Sequence, residues 1–369
     1  MSAVLVIPIM AMLLAPALWL ILGRPRYLST ATDNDGLAAT LSVIIPARDE
    51  ETNIAQLLDS LKKHSPQPLE IIVVNDGSTD NTAVVAKTHG ARVIDAEPLP
   101  DGWMGKPWAC QQGANAAQGQ WLLFLDADVT LEESAMSALC QLCAEADRVH
   151  SVCPYHAIKQ PYEELSAFFN VLMLAGVNAF GMSKRHNANS ALFGQCMLIS
   201  QHHYQAIGGH HSVSNRALEN FHLAQELKRH NIPSSCYLGK GFIHMRMFPD
   251  GVKQLWDSWK KGFSGGAAHT APRALLLSSL WISGMMLTLV CIALSFSSFT
   301  SSLFLKFTAA AYLIHACQCV ITFQRAGSFS LWNGILFPLS LLFYQVLFFS
   351  SVIDKKRGKT SQWKGRTVH

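Results

Sequence analysis

The densest chemistry in this 369-residue chain sits in short polar clusters that each follow an apolar run. Asp126-Ala127-Asp128 comes straight after Trp121–Leu125 (WLLFL), so two carboxylates one residue apart stand at the end of a buried segment. Paired hard oxygens of this kind suit Mg2+ or Mn2+, ions that a protein commonly shares with substrate phosphates. Locally, the same triplet would also serve as a helix N-cap with a first-turn acid before Leu131. Asp76 follows Leu69–Asn75 (LEIIVVN) in the same manner, and its carboxylate suits a uracil-type base or a ribose. An Asx turn through Asp76-Gly77-Ser78 is the alternative there. Arg48, Asp49 and Glu50 crowd the end of Leu41–Pro46 (LSVIIP). Packing calls for no charge at that point, whereas a cradle for ribose and base does.

The elements that must position these groups are legible from periodicity. Leu41–Pro46, Leu69–Asn75, Ala91–Asp95 and Trp121–Leu125 are short continuous apolar runs, as buried parallel strands are. Between the first two, Glu51–Lys63 places Ile54, Leu57, Leu58 and Leu61 at helical spacing. Strands alternating with helices predict a mostly parallel α/β sheet with ligands at the strand C-terminal ends, where the polar clusters lie. Neither an internal repeat nor a low-complexity segment interrupts the pattern. His202, His203, His210 and His211 come as adjacent pairs without a carboxylate or Cys companion and read as surface histidines. Nine cysteines form no convincing framework. Cys140 and Cys143 lie in a helical apolar pattern and read as buried thiols, consistent with a reducing, cytosolic environment.

Composition supplies the second half of the organisation. Half the residues are apolar and 15% are charged, against about 25% in ordinary globular chains. The excess collects in Ala3–Leu22, Ala274–Phe296, Ser302–Phe323 and Phe329–Ile353, each long enough to cross a bilayer. Ala3–Leu22 lacks a basic n-region and a small-residue cleavage site, so it reads as a retained anchor. Arg24 and Arg26 follow it, and Arg246, Lys253, Lys260, Lys261 and Arg273 precede the next stretch, which predicts a cytoplasmic segment between them. The tail Lys355-Lys356-Arg357-Gly358-Lys359 asks for the same side, yet three true spans would put it on the other. Either one C-terminal segment is re-entrant or interfacial, with Ser302–Phe323 the one carrying Lys306, His315 and Gln318, or the charge rule fails locally. The sequence leaves both open. A net charge of +4, mostly beside the apolar stretches, points to an anionic membrane surface and not to nucleic acid. Val252–Ser264 sets Leu255, Trp256, Trp259 and Phe263 on one face and Lys253, Lys260 and Lys261 elsewhere, the pattern of an interfacial helix. Tyr162–Met182, interrupted by Asn170 and Asn178, reads as an apolar acceptor-side helix and not a further span.

Taken together, SVIIPARDEE (Ser42–Glu51), VVNDGSTD (Val73–Asp80) and FLDAD (Phe124–Asp128) resemble family 2 glycosyltransferases of GT-A fold, in order and in spacing. GWMGKPWAC (Gly102–Cys110), RMFPDG (Arg246–Gly251) and WKGR (Trp363–Arg366) narrow the resemblance to the membrane-bound branch containing diaponeurosporenoate glycosyltransferases, with ceramide glucosyltransferases more distant. It covers residues 40–270 well and the apolar stretches loosely. The resemblance implies that Pro46, Ala47, Arg48, Glu50 and Asp76 contact the nucleotide and that Lys106 lies close to the donor. It implies that Asp128, with Asp126 nearby, holds the metal that bridges the diphosphate. Gly194-Gln195 matches the acceptor loop, and Trp259-Lys260 the acceptor-proximal aromatic and basic block. His244, near Arg246, is placed by the diphosphate.

Two departures stand out. The family usually reads Asp-Asp-Gly-Ser where this chain has Asn75-Asp76-Gly77-Ser78, and the second position, the one tied to the base, is retained. The family's Glu-Asp, whose Asp is the general base, is here Glu219-Asn220. Asn takes no proton at neutral pH, so the base is Glu219 or absent. An absent base suits an acceptor that is already anionic.

The expected organisation is therefore an anchor over 1–25, a GT-A domain with a mostly parallel sheet over 40–248, an interfacial helix over 249–270, transmembrane segments over 274–353 and a basic tail over 354–369. The expected reaction is inverting transfer of a sugar, with glucose on UDP the first choice, to a carotenoid carboxylic acid at the cytoplasmic face of a cell membrane. The alternatives are a hydroxylated lipid or polyprenyl phosphate as acceptor, or a catalytically dead donor-binding protein. A transporter is disfavoured because the apolar stretches carry almost no charge.

Overall fold

The computed structural model describes residues 3–29, 40–63, 66–144, 147–182, 189–216, 218–297, 301–356, 361–363 and 366–368, and the side chains of 261–269 and from 355 onward lie outside that description. The expectations for the side chains of Lys261, Phe263, Lys355 and Lys356, for Arg357–Lys359 and for the middle of the Trp363–Arg366 block therefore fall outside the described residues.

The chain divides into two compact units. One gathers Arg26–Ala157, His186–Met247 and Val368–His369; the other gathers Met1–Pro25, Ile158–Arg185 and Phe248–Thr367. Segment 158–185, expected within the GT-A domain, groups with the apolar helices because Ala167–Val177 buries Phe168, Phe169, Val171 and Leu174.

In the first unit the apolar runs become strands: β1 (Leu41–Ala47), β2 (Glu70–Asn75), β3 (Arg92–Asp95) and β4 (Trp121–Leu125). Short β5 (Val129–Leu131), β6 (Val149–Cys153), β7 (Tyr155–His156), β8 (Cys196–Ser200), β9 (Ser234–Leu238) and β10 (Ile243–Met245) follow. The main sheet has the order β3-β2-β1-β4-β8-β6-β9. β8 runs antiparallel to both its neighbours, and every other pairing is parallel. β5-β10-β7 form a second, small sheet. Chain order reverses beside β1: β2 lies on one flank and β4 on the other. In open α/β sheets ligands bind beyond the strand ends at such a point, here the ends of β1 at Ala47 and of β4 at Leu125. The helix Glu51–Lys62 buries Ile54, Leu57, Leu58 and Leu61, as its spacing predicts. The helix Gly105–Ala116 lies close on β1, since a Cβ at Gly113 would fall 2.4 Å from Ile44 Cγ2.

In the second unit, Pro272–Leu294, Ser302–Ala326 and Phe337–Asp354 are long and apolar enough to cross a membrane. The expected anchor over Ala3–Leu22 is a shorter, broken rod: a 3-10 turn at Ala3–Leu5, then Val6–Leu14 and Ala17–Leu22. Pro16 causes the break, because it has no N–H to give to the preceding turn. The carbonyl of Ala15, which Leu18 N reaches at 3.3 Å, also accepts from Gln318 Nε2 at 2.8 Å, and Gln318 Oε1 accepts from Trp281 Nε1 at 2.9 Å. The expected single stretch Phe329–Ile353 is two helices, Leu331–Ile335 and Phe337–Lys356. Tyr162–Met182 is a 3-10 turn (Pro161–Ser166) and the 11-residue helix Ala167–Val177, ended by left-handed Asn178 and too short to span. The interfacial stretch is one helix, Val252–His269, with Leu255 buried and Lys253 out in solvent beside Asp257.

Candidate active site

Two loops at the ends of β1 and β2 are laced to one another. Asp49, at φ 52°, accepts from Thr79 N at 2.7 Å through Oδ1, and its own N–H donates to Ser78 Oγ at 3.0 Å. Glu50 N donates to Thr82 Oγ1 (2.8 Å), Glu51 N to Asp80 Oδ2 (3.1 Å), and Glu51 Oε2 accepts from Asn81 N (3.1 Å). Bonds from the Thr79 N–H, set against partial burial, hold the Asp49 carboxyl below the usual carboxylate range. The nucleotide-contact residues expected from the sequence lie on this frame. Asp76 N bonds Ala47 O (2.9 Å), one residue past Pro46, and Arg48 Nη1 reaches Asp76 O at 3.4 Å and Asp76 Oδ2 at 3.8 Å. Glu50 Oε2 accepts from Asn53 Nδ2 at 2.6 Å. Asp49 belonged to the cradle expected beside Arg48 and Glu50, whereas Glu51 and Asp80 were not among the expected site residues; their signal was the repetition of acids and hydroxyls in RDEE and DGSTD.

The second cluster joins three separate segments. Lys106 Nζ lies 2.6 Å from Asp126 Oδ1 and 3.8 Å from Glu219 Oε1. Lys106 is the second residue of its helix, where the helix dipole disfavours a cation. Desolvation also lowers its pKa, but the charges of Asp126 and Glu219 outweigh it and hold the ammonium well above the usual lysine value. Glu219 opens the helix Glu219–Arg229, and Asn220 Nδ2 donates to Glu219 Oε1 at 3.2 Å. That amide lies over Gly194, where a Cβ would sit 2.0 Å from Asn220 Nδ2. Gln195 O accepts from Asp126 N at 3.0 Å, and Gln195 Oε1 is buried with no hydrogen-bond partner among the described residues. The expected donor-side Lys106 and Asp126 and acceptor-side Gly194, Gln195, Glu219 and Asn220 thus meet in one unit.

Behind Lys106 stands a buried pair. Tyr204 OH lies 2.8 Å from His210 Nδ1 and accepts from His210 N at 3.1 Å, and both rings pack on Phe124. His210 is 3% exposed, so the surface reading fails for it; burial first, and the Lys106 charge second, push its pKa down to about 3. Its neighbours His202 and His211 are exposed.

A divalent cation can be tested against these residues. Asp128 is half-buried, and its pKa is pushed up to about 7, first by desolvation and then by the charges of Asp126 and Glu50. Such a carboxylate matches a hard cation. Lys106 already neutralises Asp126, so Asp128 is the stronger candidate ligand of the two expected. Among the described residues no group of three or more His, Cys, Asp and Glu could hold an ion alone. That donor set fits an ion completed by water and phosphate oxygens. His244 pairs with Glu132 at 3.4 Å and meets Tyr155 edge-on.

Trp259 and Lys260 lie in the other unit. Trp259 stacks on Phe169 with ring centroids 4.8 Å apart, and Lys260 is ion-paired with Asp354. All nine cysteines are free thiols, and Cys140 and Cys143 are buried.

The sequence model described as "Glycosyl transferase family 2" matches residues 42–207. The 4,4'-diaponeurosporenoate glycosyltransferase of Staphylococcus aureus (strain N315) is 36% identical over 352 residues, covering 94% of this chain and 92% of that protein. Among solved structures, a mannosyltransferase from Pyrobaculum calidifontis in complex with GDP-Man and Mn2+ has a TM-score of 0.48 at 14% identity, over 93% of this chain and 99% of that one. Glucosyl-3-phosphoglycerate synthase from Mycobacterium tuberculosis has a TM-score of 0.44 at 18% identity, over 68% and 88%. An α/β sheet with its acidic residues at the switch point, a family match across the strands that carry them, and a relative this similar along nearly the whole chain show that the protein belongs to glycosyl transferase family 2.

Proposed function

We propose that the enzyme transfers a sugar, with inversion, from a nucleotide sugar (UDP-glucose the first choice) to the carboxylate of a carotenoid acid at the surface of a membrane. The observation that carries the proposal is the Glu219-Asn220 pair. The residue beside Glu219 is an amide that donates to it, and Glu219 itself faces the Lys106 ammonium. Glu219 Oε1 is thus engaged by both the Lys106 ammonium and the Asn220 amide, and the amide at 220 can take no proton from an acceptor. A carboxylate acceptor needs no proton removed, because it is already a nucleophile at pH 7. The relative's name, a glycosyltransferase of diaponeurosporenoate, supports the same acceptor class.

In this reading the laced loops around Asp49, Asp76 and Asp80 hold base and ribose. Asp128, with Asp126 beside it, would hold Mg2+ or Mn2+, whose chemistry is to neutralise the departing diphosphate. Lys106 adds a fixed positive charge on the same side. The acceptor carboxylate oxygen forms its bond to the anomeric carbon as the bond from that carbon to the phosphate oxygen breaks, and the electron pair leaves with the nucleoside diphosphate. No proton is released. A hydroxyl acceptor would release one per turnover, and that difference is the test. Purified enzyme is given UDP-glucose and either a carotenoid acid or the matching alcohol in weakly buffered solution with a pH indicator. The acid should yield an alkali-labile glucosyl ester without acidification. Faster transfer to the alcohol, with one proton per product, would refute the assignment.

A further inference from the structure

We infer that the last apolar segment does not cross the bilayer: residues 327–356 form a re-entrant helical hairpin that enters and leaves at the same face, with acyl chains of that leaflet around its tip.

A ladder of contacts inside the helical unit fixes depth. At one end Leu5, Cys291 and Phe304 form a buried cluster. Midway, a Cβ at Gly284 would lie 3.0 Å from Ala11 O and 3.1 Å from His315 Nε2. At the other end Arg325 Nη1 donates to Leu22 O at 3.3 Å. Val6–Leu22 therefore rises toward the Leu22–Arg325 end, Pro272–Leu294 descends from it, and Ser302–Ala326 rises back.

The next segment begins at that end. Ser328 Oγ accepts from Ile158 N at 2.8 Å, and Ser330 N donates to the Glu164 carboxylate at 2.9 Å. The short helix Leu331–Ile335 then runs down again. A Cβ at Gly334 would meet Val320 N at 2.6 Å, and Tyr312 OH donates to Ile335 O at 2.6 Å. Phe337 packs on the rings of Tyr312 (5.3 Å) and His315 (6.3 Å). At 1.5 Å per helical residue, Tyr312 and His315 lie about 16–21 Å from Ala326, roughly half the length of their helix and well inside a hydrocarbon core of about 30 Å. The long helix starts at this depth, so it cannot be a full span in either direction. It returns: Tyr344 reaches Phe168 (6.2 Å), which also touches Phe323 (5.1 Å). Ser351 Oγ bonds Lys260 O at 3.2 Å, and Asp354 pairs with Lys260. Fourteen residues from Phe337 to Ser351 cover about 21 Å, the distance the descent used.

The exposed surface fits that placement. Leu336 is 49% and Leu339 64% exposed at the tip, with Trp332, Leu342 and Val346 also outward. An apolar tip at this depth takes acyl chains, and backbone groups around the turn find partners, Ile335 O from Tyr312 OH, Leu336 N to Trp332 O and Leu339 N to Leu336 O, as lipid demands. Charge agrees as well. Arg24, Arg273, Arg325, Lys355 and Lys356 all belong to the Leu22–Arg325 end, whereas among the described residues Lys306 is the single basic residue near the other. By the positive-inside rule the former end is cytoplasmic. The tail then shares a side with Arg24 and Arg26, which removes the conflict between charge and span count, and the re-entrant segment is 327–356 in place of Ser302–Phe323.

The test does not depend on the acceptor. Single reporter cysteines, V84C, S297C and one appended after His369, are labelled with a membrane-impermeant maleimide in sealed right-side-out and inverted vesicles, with the wild type as baseline. The appended cysteine should react from the same side as V84C, and S297C from the opposite side. A nitroxide at L336C should give the oxygen-over-nickel accessibility ratio of mid-bilayer. An appended cysteine that reacts with S297C, or a nitroxide at headgroup depth, would overturn the hairpin.

Discussion

Replacing Lys106 by Met keeps most of the side chain's volume and removes its charge. The ammonium lies 2.6 Å from Asp126, with side-chain exposures of 28% and 24%. At an effective dielectric near 20, unit charges about 4 Å apart interact by about 4 kcal/mol. Fully exposed pairs contribute about 0–1 kcal/mol, and breaking a fully buried one costs about 3–5 kcal/mol. A pair three-quarters covered falls between them, at about 2 kcal/mol. For a unit of this size each kcal/mol moves the melting temperature by about 2–4 °C, so K106M should melt about 4–8 °C lower in EDTA. Without Lys106, Asp126 and Asp128 both face the cation site without a counter-charge, so Mn2+ should raise the melting temperature of the variant more than that of the wild type. Scanning fluorimetry of detergent-purified protein, with EDTA and with Mn2+, reads both quantities. Equal melting in EDTA and equal Mn2+ increments would show that Lys106 neither compensates Asp126 nor neighbours a cation, and the assembled site would have to be redrawn.

Three further outcomes follow from the same geometry. G194A puts a methyl 2.0 Å from Asn220 Nδ2 and must turn that amide away from Glu219; transfer should fall about fivefold or more if overpacking of about 1–3 kcal/mol is carried into the transition state, while UDP affinity by calorimetry stays within twofold. N220D should bring no gain on a carotenoid acid, and a several-hundred-fold gain would reveal a missing base, since general-base catalysis supplies about 10²–10⁴. His210, held down to about 3, binds fewer protons folded than unfolded. Its contribution is complete above the unfolded value of about 6.5 and is lost as pH falls toward 3, by up to about 1.4 kcal/mol per unit. H210F should therefore flatten the fall in melting temperature between pH 6.5 and 5; an unchanged slope would refute the assignment.

The first four strands and the helix Glu51–Lys62 were legible because burial imposes uninterrupted apolar runs on the former and 3.6-residue spacing on the latter. The Asp126–Asp128 pair was legible for the same reason, since charge immediately after such a run has no packing role. β8 left no mark distinct from the apolar stretches around it, and its reversed direction is a property of pairing and not of composition. The joining of Lys106 to Asp126 and of Asn220 to Gly194 depends on tertiary approach, and nothing in local sequence encodes it. His210 was misread because histidine is apolar enough to be buried when a partner such as Tyr204 satisfies it. Residues 329–353 look like a span by length and hydropathy; only their contacts with Tyr312 and Lys260 reveal where they turn.

The bond from Gln318 to the carbonyl of Ala15 joins residues 303 positions apart. At about 5–20 residues per second, the ribosome reaches Gln318 some 15–60 s after Ala15 has emerged. Throughout that interval the Ala15 carbonyl keeps only the 3.3 Å bond from Leu18 N, and the shorter bond from Gln318 is still to come. The break at Pro16 therefore gains its second fastening only once Ser302–Ala326 has been made. Chains truncated before Gln318 would lack that fastening, so the N-terminal rod is locked to the later helices only when the bundle is nearly finished.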